Sequence, residues 1–279
     1  MFKDITFGQF YPADSFVHKM DPRSKILLSV FYIVSIFFVQ SFAEFGFVAL
    51  FLLISIFAAK IPLRSVLKSL KPIMFLVVFT CILNIFFITD GETLVHWWIF
   101  RITTGGLIFA GKMALRLMLI VMGASMLTLT TTPVTLTNGI ESLMKPLALV
   151  KFPVHEFALI MSIALRFIPT LTEETDRIIR AQKARGADFD TGNIFRRAKA
   201  FIPILIPLLI SAFRRADELS LAMDSRCYSG SKGRTKMKVL KLGWRDFVGG
   251  FITVAVFVTV FLVNFFMGEL QPILPWLFV

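Results

Sequence analysis

Long apolar runs alternate with short polar breaks through the first half of the chain, and the pattern changes character near residue 133. Residues 1–25 are polar and aromatic, with Asp21 placed to cap a helix and Pro22 at its first position, where a missing N–H costs nothing. The run from Ile26 to Phe42 is uncharged and long enough to span a hydrocarbon core, which takes about 20 residues. A second run, Phe45 to Ala59, is set off only by Ala43-Glu44 and is short enough to borrow flanking residues or thin the bilayer. A third extends from Ile73 to Thr89, a fourth from about Gly105 to Thr130, and a fifth from Phe247 to Met267. Between the third and fourth, Asp90 to Thr104 carries Asp90, Glu92, Arg101 and the Trp97-Trp98 pair, which suits a headgroup interface. Thr128 to Thr132 before Pro133 caps and ends the fourth run. The tail from Gly268 to Val279 is too short to cross again.

Residues 133–245 read differently. Their apolar stretches, Phe157 to Leu165 and Phe201 to Ile210, are too short to span and are flanked by Glu156, Arg166, Arg196, Arg197, Arg214 and Arg215. Each pattern then turns polar, at Glu173-Glu174-Thr175-Asp176-Arg177 and at Arg214-Arg215-Ala216-Asp217-Glu218. These are amphipathic helices, and one from Val154 to Ala184 would be ~46 Å long at 1.5 Å per residue. Pro169, Pro203 and Pro207 are expected to kink or break them. The chain thus divides into 1–132 with four spans, 133–245 with the long helices, and 246–279 with a fifth span and a short tail. The expected fold is an all-α integral membrane protein of about five transmembrane helices.

Composition agrees with a bilayer protein. Hydrophobic residues make up 56% of the 279, against about 45–50% in soluble domains. The net charge of +12 is segregated: four basic residues lie in the first 25, four at 60–71, and 19 between Lys145 and Arg245. Only Arg101, Lys112 and Arg116 remain. With the N-terminus inside, 27 of the 30 basic residues are cytoplasmic, as the positive-inside rule requires. The charge is therefore assigned to the inner membrane face, and nucleic acid is not an expected partner. No small-residue cleavage site follows the first apolar run, so a secretory signal is not expected. Cys81 and Cys227 lie in unlike surroundings and do not form a disulfide framework.

Catalytic chemistry is hard to find. The chain has no Gly-Lys-Ser/Thr phosphate loop, so it does not hydrolyse ATP by that route. His18, His96 and His155 stand far apart without metal-ligand spacing. No nucleophile elbow or intramembrane carboxylate pair is present. Neither a catalytic residue nor a bound cofactor or metal is expected. Lys112 and Arg116 share one face of the fourth span, and an intramembrane charge is a functional hypothesis by default. The plainer alternative has Lys112 snorkelling outward and Arg116 meeting carbonyls or an acid of a neighbouring helix. An alternative function follows from the same pair: an integral-membrane enzyme gripping a phosphorylated lipid or isoprenoid, with Asp217 and Glu218 as acid and base.

A repeated pattern ends the two long helices. Ala181-Gln182-Lys183-Ala184-Arg185-Gly186 echoes Ala222-Met223-Asp224-Ser225-Arg226-Cys227: a small residue, two variable ones, another small residue, arginine, then a small residue. Gly186 suits the position after a helix C-terminus, and arginine in a last turn complements the dipole, so satisfied terminal arginines are one reading. The other is docking, since arginine is a preferred interface anchor.

With Gly8-Gln9-Phe10-Tyr11-Pro12 and His18-Lys19-Met20-Asp21-Pro22-Arg23-Ser24-Lys25 near the N-terminus, these tripeptides give the chain a family likeness. It resembles the transmembrane (T) component of energy-coupling-factor transporters, a family that includes cobalt-transporter-type permeases. The resemblance implies about five spans plus cytoplasmic coupling helices in a multi-pass protein of the cell membrane. It implies partnership with two ATP-binding-cassette ATPases, alike or different, which use the ATP, and with a small membrane-embedded substrate-binding component. Vitamin or metal-ion uptake would be the outcome, with no enzymatic activity in this chain. In the family each arginine tripeptide seats in one ATPase, which here implies ATPase docking by Ala184, Arg185 and Gly186 and by Ser225, Arg226 and Cys227. The second triplet departs from Ala-Arg-Gly at Ser225 and Cys227, although both stay small.

Overall fold

A computed structural model describes residues 10–88, 91–97, 100–146, 152–187, 189, 194–230 and 240–270. Gly8-Gln9, Asp90, Trp98 and the tail beyond residue 270, for which the sequence sets expectations, lie outside the described residues. Two compact units emerge, one from Gly8–Ile140 with Leu240–Val279 and one from Glu141–Val239.

The first unit begins as its sequence dictates. Asp21 caps α1 (Pro22–Ile36), its carboxylate accepting from the Arg23 N–H at 2.9 Å. α2 (Phe42–Ala59) follows a tight corner in which the buried Glu44 accepts from the backbone N–H groups of Gln40 and Ser41 at 2.8 and 3.3 Å. Glu44 thus lies inside the helix rather than in a break between two runs. The short α3 (Leu63–Lys68) leads to α4 (Met74–Phe87). A small antiparallel ribbon, β1 (Thr93–Trp97) with β2 (Phe100–Thr103), then occupies the segment that the hydropathy pattern left without structure. Thr103 turns the chain into α5 (Thr104–Thr130), accepting from the Gly106 N–H at 3.1 Å and donating to the Ile88 carbonyl at 3.1 Å. α6 (Pro133–Leu143) follows, and α9 (Trp244–Leu270) completes the unit.

α5 is the axis of this unit, packing on α1, α2, α3 and α4, while α9 packs on α1 and α2. α2 turns one stripe inward, Phe45, Val48, Leu52, Ile56 and Ala59, at the three- and four-residue spacing of a buried helix face. Phe257 of α9 meets Phe31, Tyr32 and Phe51 edge-on, with centroids 5.6, 5.9 and 6.5 Å apart. Gly123 is needed where α5 crosses α1: the Tyr32 ring lies in the space a Cβ would take, and its hydroxyl donates to the Leu119 carbonyl at 3.1 Å.

The expected spans are present as helices, but their lengths differ. Ile26 to Phe42 contracts to the 15-residue α1, and α4 has only 14 residues. Both fall short of the roughly 20 residues of a full crossing. Four described helices are long and apolar enough to cross: α2, α5, α9 through Val263, and, by length and composition, α7 (Val154–Ala184). Hydropathy therefore does not separate α7 from the spans, contrary to the expectation from its short apolar stretch.

A polar knot ties the N-terminal segment to α5 and α9. Asp246, in the first turn of α9, accepts from the Asp21 N–H and the Gly243 N–H, each at 2.7 Å. The Lys25 ammonium donates to the carbonyls of His18 at 3.1 Å and Thr130 at 3.0 Å, so it caps the end of α5. Tyr11 donates its N–H to Leu129 at 3.0 Å, and the His18 ring contacts the Tyr11 carbonyl and the Ser15 hydroxyl at 2.9 and 2.7 Å. Burial holds the His18 imidazole below its ordinary pKa, so it is neutral at pH 7. Asp21, Lys25 and Asp246 are all buried. Asp246→Ala strands two N–H groups, each costing about 1–3 kcal/mol if it finds no new partner. The variant is expected to melt well below the wild type in detergent, and an unchanged midpoint would contradict the role of the knot.

Candidate docking site on the long helices

In the second unit α7 runs for 31 residues, with the bounds the sequence implied, and α8 (Ile194–Ser225) for 32. Neither helix breaks at its prolines, contrary to one of the expected outcomes. Each proline deletes one N–H, and Pro203 and Pro207, four apart, place their losses on one side of α8. The helices pack on each other, with Arg215 Nη2 of α8 3.5 Å from Glu174 Oε2 of α7. Phe189 in the connection is buried, its ring 5.9 Å from that of Phe201.

Both helices end in the same backbone motif. At the end of α7, the Gly186 N–H donates to Lys183 at 3.0 Å and the Ala187 N–H reaches back to Gln182 at 3.0 Å. At the end of α8, the Cys227 N–H donates to Asp224 at 2.9 Å and the Tyr228 N–H to Met223 at 3.1 Å. These paired bonds define the Schellman closure, which requires a left-handed residue after the cap. Gly186 supplies it at φ 85° and Cys227 at φ 54°. Arg185 and Arg226 are therefore the cap residues of two equivalent helix ends. All six tripeptide residues are exposed, and neither guanidinium has an ion-pair partner among the described residues.

The small residues around each arginine acquire separate explanations. A Cβ on Gly186 would meet nothing within 4 Å, so space is not the constraint there; backbone conformation is. Ser225 turns its hydroxyl back onto the Leu221 carbonyl at 2.6 Å, leaving the helix end unobstructed. Cys227 is the strained member, since a left-handed L-residue costs roughly 1–2 kcal/mol.

The apolar half of α8 resolves into a defined ladder. Ile202, Leu205, Ile206, Leu209, Ile210 and Phe213 fall on one face at alternating three- and one-residue steps, and all are 47–64% exposed. Such a ladder is the stripe of a packed helix, here without a partner among the described residues.

Lys112 and Arg116 do not converge on a ligand. Arg116 Nη2 donates to the buried Val39 carbonyl at 2.6 Å in the corner between α1 and α2, with its guanidinium 5.8 Å above the Phe45 ring. Lys112 lies 5.3 Å above the Phe42 ring. Arg116 thus has the carbonyl partner that the plainer reading anticipated, and the pair braces the start of α2. His155 Nδ1 lies 3.3 Å from Glu141 Oε1. No group of three metal-ligating side chains occurs among the described residues.

The equivalence of the helix ends makes an opposed pair of substitutions informative. Cys227→Gly is expected to stabilise the end of α8 by about 1 kcal/mol, and Gly186→Ala to weaken the end of α7 by a similar amount. Amide hydrogen exchange at Arg226–Tyr228 and Arg185–Ala187 reads both effects. Shifts of the same sign at the two ends would contradict the shared motif.

Comparison with known proteins places the chain. Residues 13–237 match the CbiQ family, described as cobalt transport protein. Proteins named energy-coupling factor transporter transmembrane protein EcfT are similar over most of its length. That of Clostridium kluyveri is 54% identical over 250 residues, covering 89% of this chain and 92% of its own. That of Ruminiclostridium cellulolyticum is 51% identical over 265 residues, covering 95% and 99%. That of Acidaminococcus fermentans is 49% identical over 259 residues, covering 92% and 96%. With its apolar helices and its two long ones, this chain belongs to the CbiQ family of transmembrane transport components, alongside those energy-coupling factor proteins.

Proposed function

We propose that the chain is the coupling subunit of an ATP-driven importer of vitamins or metal ions, and that it performs no chemistry itself. The observation that carries this reading is the identical closure of two exposed helix ends, each with one arginine at the cap position. A helix end of fixed geometry with a single cationic fork is a plug, and two of them call for two sockets of like shape. The similar relatives are named as energy-coupling factor transporter proteins, which supports ATPase partners for this chain. In this reading the N-terminus and the long helices face the cytoplasm, where ATP is available.

ATP binding would draw two ATPases together, and the arginine-tipped ends of α7 and α8 would move with them. The apolar ladder of α8 would transmit that motion to a small substrate-binding membrane protein. The lipid-enzyme reading has less support, because Arg116 is turned onto the Val39 carbonyl and Lys112 onto the Phe42 ring, and the two do not converge on one site. The chain itself would carry no ATP and no cofactor.

Charge reversal tests the docking. Removing one partner from a buried ion pair costs about 3–5 kcal/mol, which is roughly two to four orders of magnitude in affinity. Arg185→Glu with Arg226→Glu should abolish ATPase co-purification and uptake while the protein still inserts. Normal ATPase retention in that double variant would overturn the proposal. A second variant separates the two interfaces: Ile206→Lys with Leu209→Lys should release the substrate-binding partner and keep the ATPases. Loss of the ATPases alone would show that the ladder had been assigned to the wrong partner.

A further inference from the structure

The transmembrane unit contains a cavity of about 430 Å³ between α1, α2, α5 and α9, within the range of roughly 300–1,000 Å³ typical of small-molecule sites. Its walls are apolar, with Leu28 and Tyr32 of α1, Phe51 and Ala58 of α2, Met126 of α5 and Val256 of α9. The hydroxyls that line it offer no unused donor. Ser29, Ser55, Thr130 and Thr253 donate to the carbonyls of Ile26, Phe51, Met126 and Gly249 on their own helices, at 2.9, 2.9, 2.7 and 2.8 Å. Lys25 is the charged residue in the lining, and its two bonds to carbonyls leave one of its three N–H groups unspent. Two carboxylates act on Lys25: Asp246 spends both oxygens on backbone N–H groups, and Asp21 accepts from the Arg23 N–H. Along the rim, Phe47, Leu50 and Ile54 of α2 and Ile252 of α9 are 44–59% exposed, so the cavity communicates with the surface that faces hydrocarbon.

Three occupants can be weighed. Water gains too few polar partners along such walls. An empty void forfeits dispersion contacts on every side. A partner helix about 10 Å across would fill the volume in a single turn, too little for a helix to dock. A narrow flexible hydrocarbon chain fits, and the bilayer supplies it. We propose that this cavity is a phospholipid site, in which one acyl chain lies among the four helices and an anionic headgroup takes the remaining N–H of Lys25. The site would bind a lipid as a fixed part of the bundle, filling the space beside the knot that joins α1, α5 and α9.

The test uses the full chain purified from cell membranes in mild detergent. Bound phospholipid is counted by native mass spectrometry and identified after extraction. The wild type should keep a single phospholipid per chain through a delipidating wash, enriched in anionic headgroups relative to the membrane. Ala58→Phe and Ser55→Phe each place a ring in the cavity without touching Lys25. Both should lose most of that lipid, with a melting midpoint in lipid-free detergent at or above the wild-type value. Two fillers on one face are used so that misfolding of one leaves the other decisive. Wild-type protein washed free of lipid, or fillers that retain it fully, would overturn the proposal. So would recovery of a free fatty acid, or of headgroups in bulk membrane proportion, since neither fits a phosphate held by Lys25.

Discussion

A buried carboxylate and a buried ammonium at one end of the transmembrane unit set the positions of three helices. Asp246 holds the backbone at Asp21 and Gly243, and Lys25 holds the last carbonyl of α5. Burying charge is expensive unless hydrogen bonds satisfy it. Here each charged group binds one backbone atom close in sequence and one that only the folded arrangement brings to it, the Asp21 N–H for Asp246 and the Thr130 carbonyl for Lys25. A change in the height of α1 against α5 or α9 would strip a desolvated charge of one of its two backbone bonds. The knot is therefore less a source of net stability than a penalty on every other register. Glycine then permits the close approach that the knot demands, with the Tyr32 ring lying against Gly123.

Most of the architecture was legible because hydrophobic runs and caps are local signals. Asp21 with Pro22 gave the start of α1, and the end of α7 followed from Gly186. Less legible were features whose cause is tertiary. The corner at 37–41 shortens α1 because Arg116, 77 residues on, binds the Val39 carbonyl there. No periodicity within the first run encodes that. The β ribbon has no clear sequence signal, because Thr93 to Thr103 mixes aromatic, β-branched and charged residues without a clear alternation. Prolines misled in the opposite direction: a long helix packed along its length can give up a few backbone bonds and stay continuous.

For the arginine tripeptides, sequence gave the repeat and the structure gives its physical content. A pattern of small residues is ambiguous in a sequence, since it can report close packing, flexibility or a special backbone conformation. Here the three small positions split. Ala184 and Ser225 are the last helical residues, and Gly186 and Cys227 carry the left-handed turn. What the two ends share is therefore a backbone path, with the arginine at its cap, and side-chain identity matters chiefly at that one position.

The mismatch between Gly186 and Cys227 sharpens that argument. An L-residue held left-handed is tolerated when its surroundings fix the turn, and strain of this kind often marks a functional position. At the end of α8 the turn is fixed by two backbone bonds, from Cys227 to Asp224 and from Tyr228 to Met223. Such bonds in an exposed helix end are individually worth about 1 kcal/mol, close to the strain they oppose. The end of α8 is accordingly nearer to fraying than the end of α7, where glycine adopts the same turn at little cost. Two plugs of one shape but unequal rigidity would respond unequally to the same socket. A docked partner would supply part of the order that α8 lacks, so binding at Arg226 would carry a larger entropic penalty than binding at Arg185. The asymmetry is built into one residue, and under the proposed docking it would give two otherwise equivalent contacts different affinities.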